Sequence, residues 1–215
     1  MTSTELRARI LAEVKKTPSD TRVQHRKRIA MIVALGTVAT SAVFFAMGGF
    51  ATGTRPTELI AFSAGFALVA AIVLTRISTT RPGSMLPRAS NVVVTAAVAA
   101  APVLAVCALA AAAMWPEPAS EDVPAKTHLA CGLMTIAQGA LPLIVLVVPR
   151  RGTDPVHPVI TGAALGMSAG AWTAMMAYLR CPHASATHCI LAHVVPTLVL
   201  TAVGAVLGRM ILRTR

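Results

Sequence analysis

The residues of this 215-residue chain that are best suited to chemistry are cysteines and histidines gathered in two short stretches. Three of the four cysteines and four of the six histidines lie there, namely His128, Cys131, Cys181, His183, His188, Cys189 and His193. Thiolate and imidazole groups bind zinc and copper, and accessible thiols also respond to oxidants. The composition of these stretches therefore predicts a site that senses a metal or a redox change.

Helical spacing brings some of these side chains together. His128 and Cys131 are three residues apart and Cys189 and His193 four apart, so each pair shares a helix face. We predict that all seven residues form a signal-sensing group. For a zinc or copper ion the sequence suggests four ligands in particular, namely Cys181, His188, Cys189 and His193. The His128/Cys131 pair provides further candidates.

Simpler interpretations of the same residues remain open. A disulfide between Cys181 and Cys189 would staple the loop between them, or the histidines would be ordinary residues at helix ends. The spacing matches no closed zinc motif. The chain also lacks a nucleophile elbow, a phosphate-binding loop and an HExxH helix, so we do not expect an enzyme.

Six apolar runs must position these residues. Each is about long enough to cross the ~30 Å hydrocarbon core of a bilayer as a helix. The mean hydropathy of +0.71 and the 55% content of hydrophobic residues agree with a membrane protein. We therefore predict an all-α, polytopic membrane protein whose six transmembrane helices cover residues 29–50, 59–74, 91–114, 129–148, 159–179 and 190–212.

Positive charge falls on alternate connecting segments. The N-terminal tail, the second and fourth loops and the C-terminus hold 16 of the 19 Lys and Arg residues. By the positive-inside rule both termini face the cytoplasm, which puts the cysteines and histidines of the cluster on the outer side. The net charge of +11 is then explained by topology and anionic lipid headgroups, and predicts no nucleic-acid partner.

The chain divides into a cytoplasmic head, residues 1–28, and a transmembrane domain, residues 29–215. The sequence from Thr2 to Glu5 fits a helix-capping box, and Pro18 ends the segment. Between them an apolar stripe is predicted to bind a partner; it consists of Leu6, Ile10, Leu11 and Val14. That partner is either the lipid surface or a protein groove.

No Asp, Glu or Lys lies well inside an apolar run, which argues against a pump or an ion-coupled transporter. The alternative function is that of a small metal-handling or transport protein that uses the cysteines and histidines.

The apolar runs are rich in small residues, with GxxxG patterns at Gly162, Gly166 and Gly170 and at Gly204 and Gly208. This spacing favours close helix packing in a bundle.

The C-terminal third resembles the NrsF family of bacterial six-helix membrane anti-sigma factors. The residues that carry the resemblance are Asp154 to Pro158, Thr161 to Gly166, Ala169 to Trp172, Tyr178 to Pro182 and Gly204 to Arg209. One departure is His183, where family members often have an acidic residue after Cys-Pro.

The resemblance implies a function at the bacterial inner membrane. Such a protein holds an extracytoplasmic-function sigma factor inactive until a stress releases it. The stripe of Leu6, Ile10 and Val14 would be the sigma-binding surface, and the bundle would receive the signal. Cys181 and Pro182 match the family's Cys-Pro at the end of the fifth helix.

Overall fold

The computed structural model describes residues 3–16, 22–50, 58, 61, 65, 123–151, 156–183 and 185–213. Within these ranges all regular structure is helical. The elements are α1 Ser3–Lys16, α2 Arg22–Ala46, α3 Ala125–Val147 with a 3₁₀ turn Val148–Arg150, α4 Pro158–Arg180, α5 Ala186–Cys189 and α6 Val195–Leu207. Two π turns, Ile190–Val194 and Gly208–Leu212, join α5 to α6 and extend α6, so residues 186–212 form one continuous C-terminal helix.

Four helices in the described part of the chain are long and apolar enough to cross a membrane. They cover Lys27–Ala46, Ala125–Arg150, Pro158–Arg180 and Thr187–Leu212. These correspond to four of the six predicted spans. The other two, residues 59–74 and 91–114, lie outside the described residues apart from Ala61 and Gly65, which are helical.

Prolines and glycines account for several helix boundaries. Pro158 occupies the first turn of α4, where a missing N–H costs nothing, and Pro124 directly precedes α3. Helix α2 ends at Ala46 rather than at the predicted Phe50, because Gly48 and Gly49 have φ values of 107° and 65°. Left-handed backbone of this kind terminates a right-handed helix.

Helix α4 is the centre of the bundle. One face packs with α3 and the C-terminal helix in a cluster that includes Leu146, Leu165 and Leu200. Nearer its C-terminal end, α4 contributes Met175 and Leu179 to a second cluster with Phe44 of α2. Since α4 bridges both clusters, it positions the other spans relative to one another.

Glycines let α4 and the C-terminal helix touch backbone to backbone. A Cβ atom added to Gly162 would lie 2.6 Å from the Cα of Gly208, and one added to Gly204 would lie 2.7 Å from the Cα of Gly166. Both distances are far below a normal contact. The GxxxG patterns therefore do form a close helix–helix interface, as the sequence predicts.

An apolar groove of about 670 Å³ opens between α2, α3 and α4. Phe44, Met134 and Met176 contribute to its walls. The Gln138 side-chain amide, also on this wall, donates a hydrogen bond to the Met47 sulfur at 2.9 Å. The groove thus presents apolar and thioether groups, as expected of a surface covered by lipid or by other apolar segments.

Candidate functional site

Three chain elements meet at one end of the bundle and bring the cysteines and histidines together. His128 and Cys131 lie in the first two turns of α3, which begins at Ala125. Cys181 directly follows α4, and its backbone N–H bonds to the Ala177 carbonyl at 2.9 Å. His188 lies in α5 after a short loop.

The core of the site is a group of three residues. One ligand atom each from Cys131, Cys181 and His188 all lie within 4.8 Å of one another. The Cys181 sulfur is 3.1 Å from Nε2 of His188. His188 is fully buried, Cys181 is buried and Cys131 is half-buried. Two thiols and an imidazole at this separation could hold a thiophilic metal ion.

Further histidines surround His188. Its Nδ1 atom lies 2.9 Å from Nδ1 of His128, so the two imidazoles share a hydrogen bond in which one ring must be the acceptor. The rings of His183 and His193 each lie 5.4 Å, centroid to centroid, from the His188 ring. His188 is thus the central member of a group of four histidines contributed by α3, the loop and the C-terminal helix.

A hydrogen bond beside the cluster ties α3 to the C-terminal helix. Pro196 has no N–H, so the carbonyl of Ala192 lacks the helical donor that would otherwise occupy position i+4. The Thr135 hydroxyl lies 3.0 Å from this carbonyl and 2.8 Å from the Cys131 carbonyl of its own helix. The contact between the Thr135 hydroxyl and the Ala192 carbonyl therefore joins the two helices one turn from Cys131.

The structure groups the predicted residues differently from the suggested ligand set. Cys131 takes part in the three-residue group, whereas Cys189 and His193 do not, although both are buried nearby. The predicted pairing of Cys189 with His193 assumes α-helical spacing, but a π turn begins at Ile190. No disulfide joins Cys131, Cys181 or Cys189.

The predicted partner-binding stripe lies on α1. The helix spans Ser3–Lys16, in agreement with the capping box and the Pro18 stop. Leu6 is 47% exposed and Leu11 is 56% exposed. The side chains of Ile10 and Val14 fall outside the description, so the stripe is defined structurally by its two leucines and by helical periodicity.

Sequence comparisons identify the family. No curated protein and no solved structure shows significant similarity to this chain. A family model described as NrsF, negative regulator of sigma F, matches residues 14–213. This match includes α2, α3, α4 and the whole C-terminal helix, together with all seven cysteines and histidines of the cluster. The chain therefore belongs to the NrsF family of negative regulators of a sigma factor.

Proposed function

We propose that this protein is an anti-sigma factor of the bacterial inner membrane, with both termini in the cytoplasm. It holds an extracytoplasmic-function sigma factor through α1 and releases that factor when the transmembrane bundle receives a signal. The observation that carries the proposal is family membership over residues 14–213. Family membership also favours a regulatory protein over an enzyme.

The head requires support of its own, because the family match begins at residue 14, close to the end of α1. That support is the exposure of Leu6 and Leu11 on a helix that immediately precedes a membrane-spanning helix. A 14-residue helix is marginal in water by itself, so its apolar stripe gains stability from a partner. A groove on a sigma factor would supply one.

The group around His188 is the proposed signal receiver. It lies at the Cys181 end of α4, whereas Pro158 marks the other end. At 1.5 Å per residue the 23 residues of α4 span about 35 Å, enough to reach across the bilayer. A metal or redox change can release the sigma factor only by favouring one packing of the bundle over another.

A second candidate function has one observation in its favour. Cys131, Cys181 and His188 are close enough to bind a metal, as a small metal-handling or transport protein would require. Against transport, the apolar runs contain no acidic residue or lysine well inside them. Metal uptake into vesicles that contain the purified protein separates the two functions, since an anti-sigma factor transports nothing.

The head proposal is tested with a triple variant of the stripe, Leu6→Ala, Ile10→Ala and Val14→Ala. Each truncation removes up to ~2 kcal/mol of apolar burial, so together they would weaken a nanomolar complex to micromolar or worse. We expect the variant to insert into the membrane normally but to lose co-purification of its sigma factor. The sigma-dependent genes would then be expressed constitutively.

A matched control is Lys16→Ala on the same helix, at a position that is neither three nor four residues from any member of the stripe. This variant leaves the stripe intact and should retain the sigma factor as wild type does. If the stripe variant captures as much sigma factor as this control, α1 binds the lipid surface and the proposed role of the head is wrong.

A further inference from the structure

We propose that Cys131, Cys181 and His188 are the three protein ligands of a zinc-like divalent ion, and that His128 positions His188 for this task. The inference names the ligand of the signal-receiving group and so rests on the function proposed above. It differs from the set that the sequence suggests, because Cys131 replaces Cys189 and His193. The role of His128 is that of a positioning residue and not of a ligand.

The separations suit tetrahedral coordination. Zinc binds sulfur at about 2.3 Å and imidazole nitrogen at about 2.0 Å, which sets neighbouring S and N ligands about 3.5 Å apart in a tetrahedron. The Cys181 sulfur and the His188 Nε2 are 3.1 Å apart, and all three ligand atoms lie within 4.8 Å. Shifts of a few tenths of an ångström to about 1 Å would complete the geometry.

The chemistry of the donors selects the ion. Two thiolates and one imidazole favour zinc and similar thiophilic ions over magnesium or calcium, which prefer oxygen ligands. Within the described residues the group contains three members. Zinc sites with three protein ligands are typical where the ion also binds water or another small ligand.

The orientation of His188 assigns a role to His128. Nε2 of His188 faces the Cys181 sulfur, so its other nitrogen, Nδ1, is left to bond elsewhere. Metal-bound imidazoles almost always donate that second N–H to an acceptor, which fixes the ring and its tautomer. Nδ1 of His128, at 2.9 Å, is such an acceptor, and His188 is too deeply buried to use bulk water.

Binding at these three residues would join three elements. Cys131 belongs to α3, Cys181 follows α4, and His188 belongs to α5 at the start of the C-terminal helix. An ion held by all three would fix the relative positions of these helix ends, and its loss would release them. A bundle that receives a signal needs such an element, with two alternative packings whose balance the bound ion shifts.

Cobalt provides a direct test in the reduced, full-length protein purified in detergent. Cobalt(II) replaces zinc with the same ligands and gives a thiolate-to-metal absorption band. We expect one cobalt per chain, displaced by zinc, with the band weakened in Cys131→Ser and in Cys181→Ser. Cys189→Ser is the matched control, a buried cysteine outside the group, and should retain the wild-type band and affinity.

The role of His128 is tested by a pair of variants. His128→Ala removes the acceptor and should weaken zinc binding by about 10- to 100-fold, the usual effect of losing such a partner. His128→Asn keeps an acceptor near the position of Nδ1 and should restore most of the affinity. If His128→Ala lowers thermal stability but leaves zinc affinity unchanged, His128 has only a packing role and that half of the proposal is wrong.

Two other results would overturn the ligand assignment. A wild-type protein without the thiolate band has no such site. Loss of the band in Cys189→Ser to the same degree as in Cys131→Ser would assign the ligands otherwise. Sigma-factor capture is measured on the same preparations. A chain that binds cobalt but captures no sigma factor retains the metal site and contradicts the function proposed above, and the reverse result contradicts only the metal site.

Discussion

Among the glycine-containing helix interfaces in the described part of the chain, two differ clearly in what the glycine faces. Between α4 and the C-terminal helix, Gly162 faces the backbone of Gly204 and Gly208. Between α2 and α3, Gly36 faces the methyl groups of Val145, with a Cβ position 2.7 Å from both. In the first case neither side can move without moving a helix, whereas in the second a side chain can rotate.

This difference shows which parts of the bundle are fixed. In the part of the chain that the structure describes, 72% of the residues in an 18-residue window of α4 are buried, compared with 28% in such a window of α2. Where two backbones are in contact, the atoms cannot relieve a steric clash by changing rotamer, so the helices themselves would have to move. We infer that α4 and the C-terminal helix behave as one rigid pair, and that α2 is joined to the bundle by side chains that can adjust.

The strongest test of the comparison is Gly162→Ala. The added methyl group would overlap the carbonyl of Gly204 and lie 2.6 Å from the Gly208 Cα, so the two helices must separate along their length. Overpacking of this kind costs about 1–3 kcal/mol when side chains can yield, and here they cannot. We expect a loss of about 3 kcal/mol or more, measured as a lower melting temperature in detergent.

Val203→Ala is the control for this variant. Val203 lies next to Gly204 on the same helix and is 41% exposed, so its truncation should leave the melting temperature nearly unchanged. If Gly162→Ala melts with this control, the two helices are not held in backbone contact and the distinction between the interfaces fails.

An intermediate effect is expected for Thr135→Val, which keeps the shape of the side chain but removes the hydroxyl. The change deprives the Ala192 carbonyl of the Thr135 donor at 3.0 Å. Hydrogen bonds between membrane helices contribute about 1 kcal/mol. Unfolding in detergent should therefore show a loss of about that size. A loss as large as that of Gly162→Ala would mean that the polar contact, and not glycine packing, fixes the C-terminal helix.

Gly36→Ala should have the smallest effect. Its methyl group meets only the branched end of Val145, which can change rotamer at a cost of about 1 kcal/mol or less. The double variant Gly36→Ala with Val145→Ala makes room for the methyl group and should recover the loss. A drop in melting temperature that the second substitution does not recover would show that α2 is held as rigidly as α4.

Much of the fold could be predicted because the bilayer leaves few choices. Helices of about 20 apolar residues are the regular answer to a hydrocarbon environment, and four of the six predicted spans appear in the structure within a few residues of their predicted bounds. The end of α2 was missed because two glycines adopt positive φ after Ala46. Glycine in an apolar run does not by itself reveal whether it packs or turns.

The candidate site was predicted in outline only. Charge alternation placed His128 and Cys131 on the same side of the membrane as Cys181 and His188, and the structure does bring these four together. Sequence spacing did not show that Cys189 and His193 lie outside the three-residue group, because a π turn at Ile190–Val194 alters the α-helical spacing between them. Pro196 follows the turn closely and the Thr135 hydroxyl contacts the Ala192 carbonyl within it, but neither residue type predicts a π turn from sequence.

That π turn also sets a rotational phase. A turn with hydrogen bonds from i to i+5 takes up one residue more than an α turn, and one residue corresponds to about 100° around the helix axis. The π turn lies between His188 and the glycines that face α4, so it contributes to the rotation that relates them about the helix axis. If the turn became α-helical, Gly204 and Gly208 would swing about a quarter of a circle away from α4. A change in the π turn would therefore couple rotation at the cluster end of this helix to rotation at its glycine end.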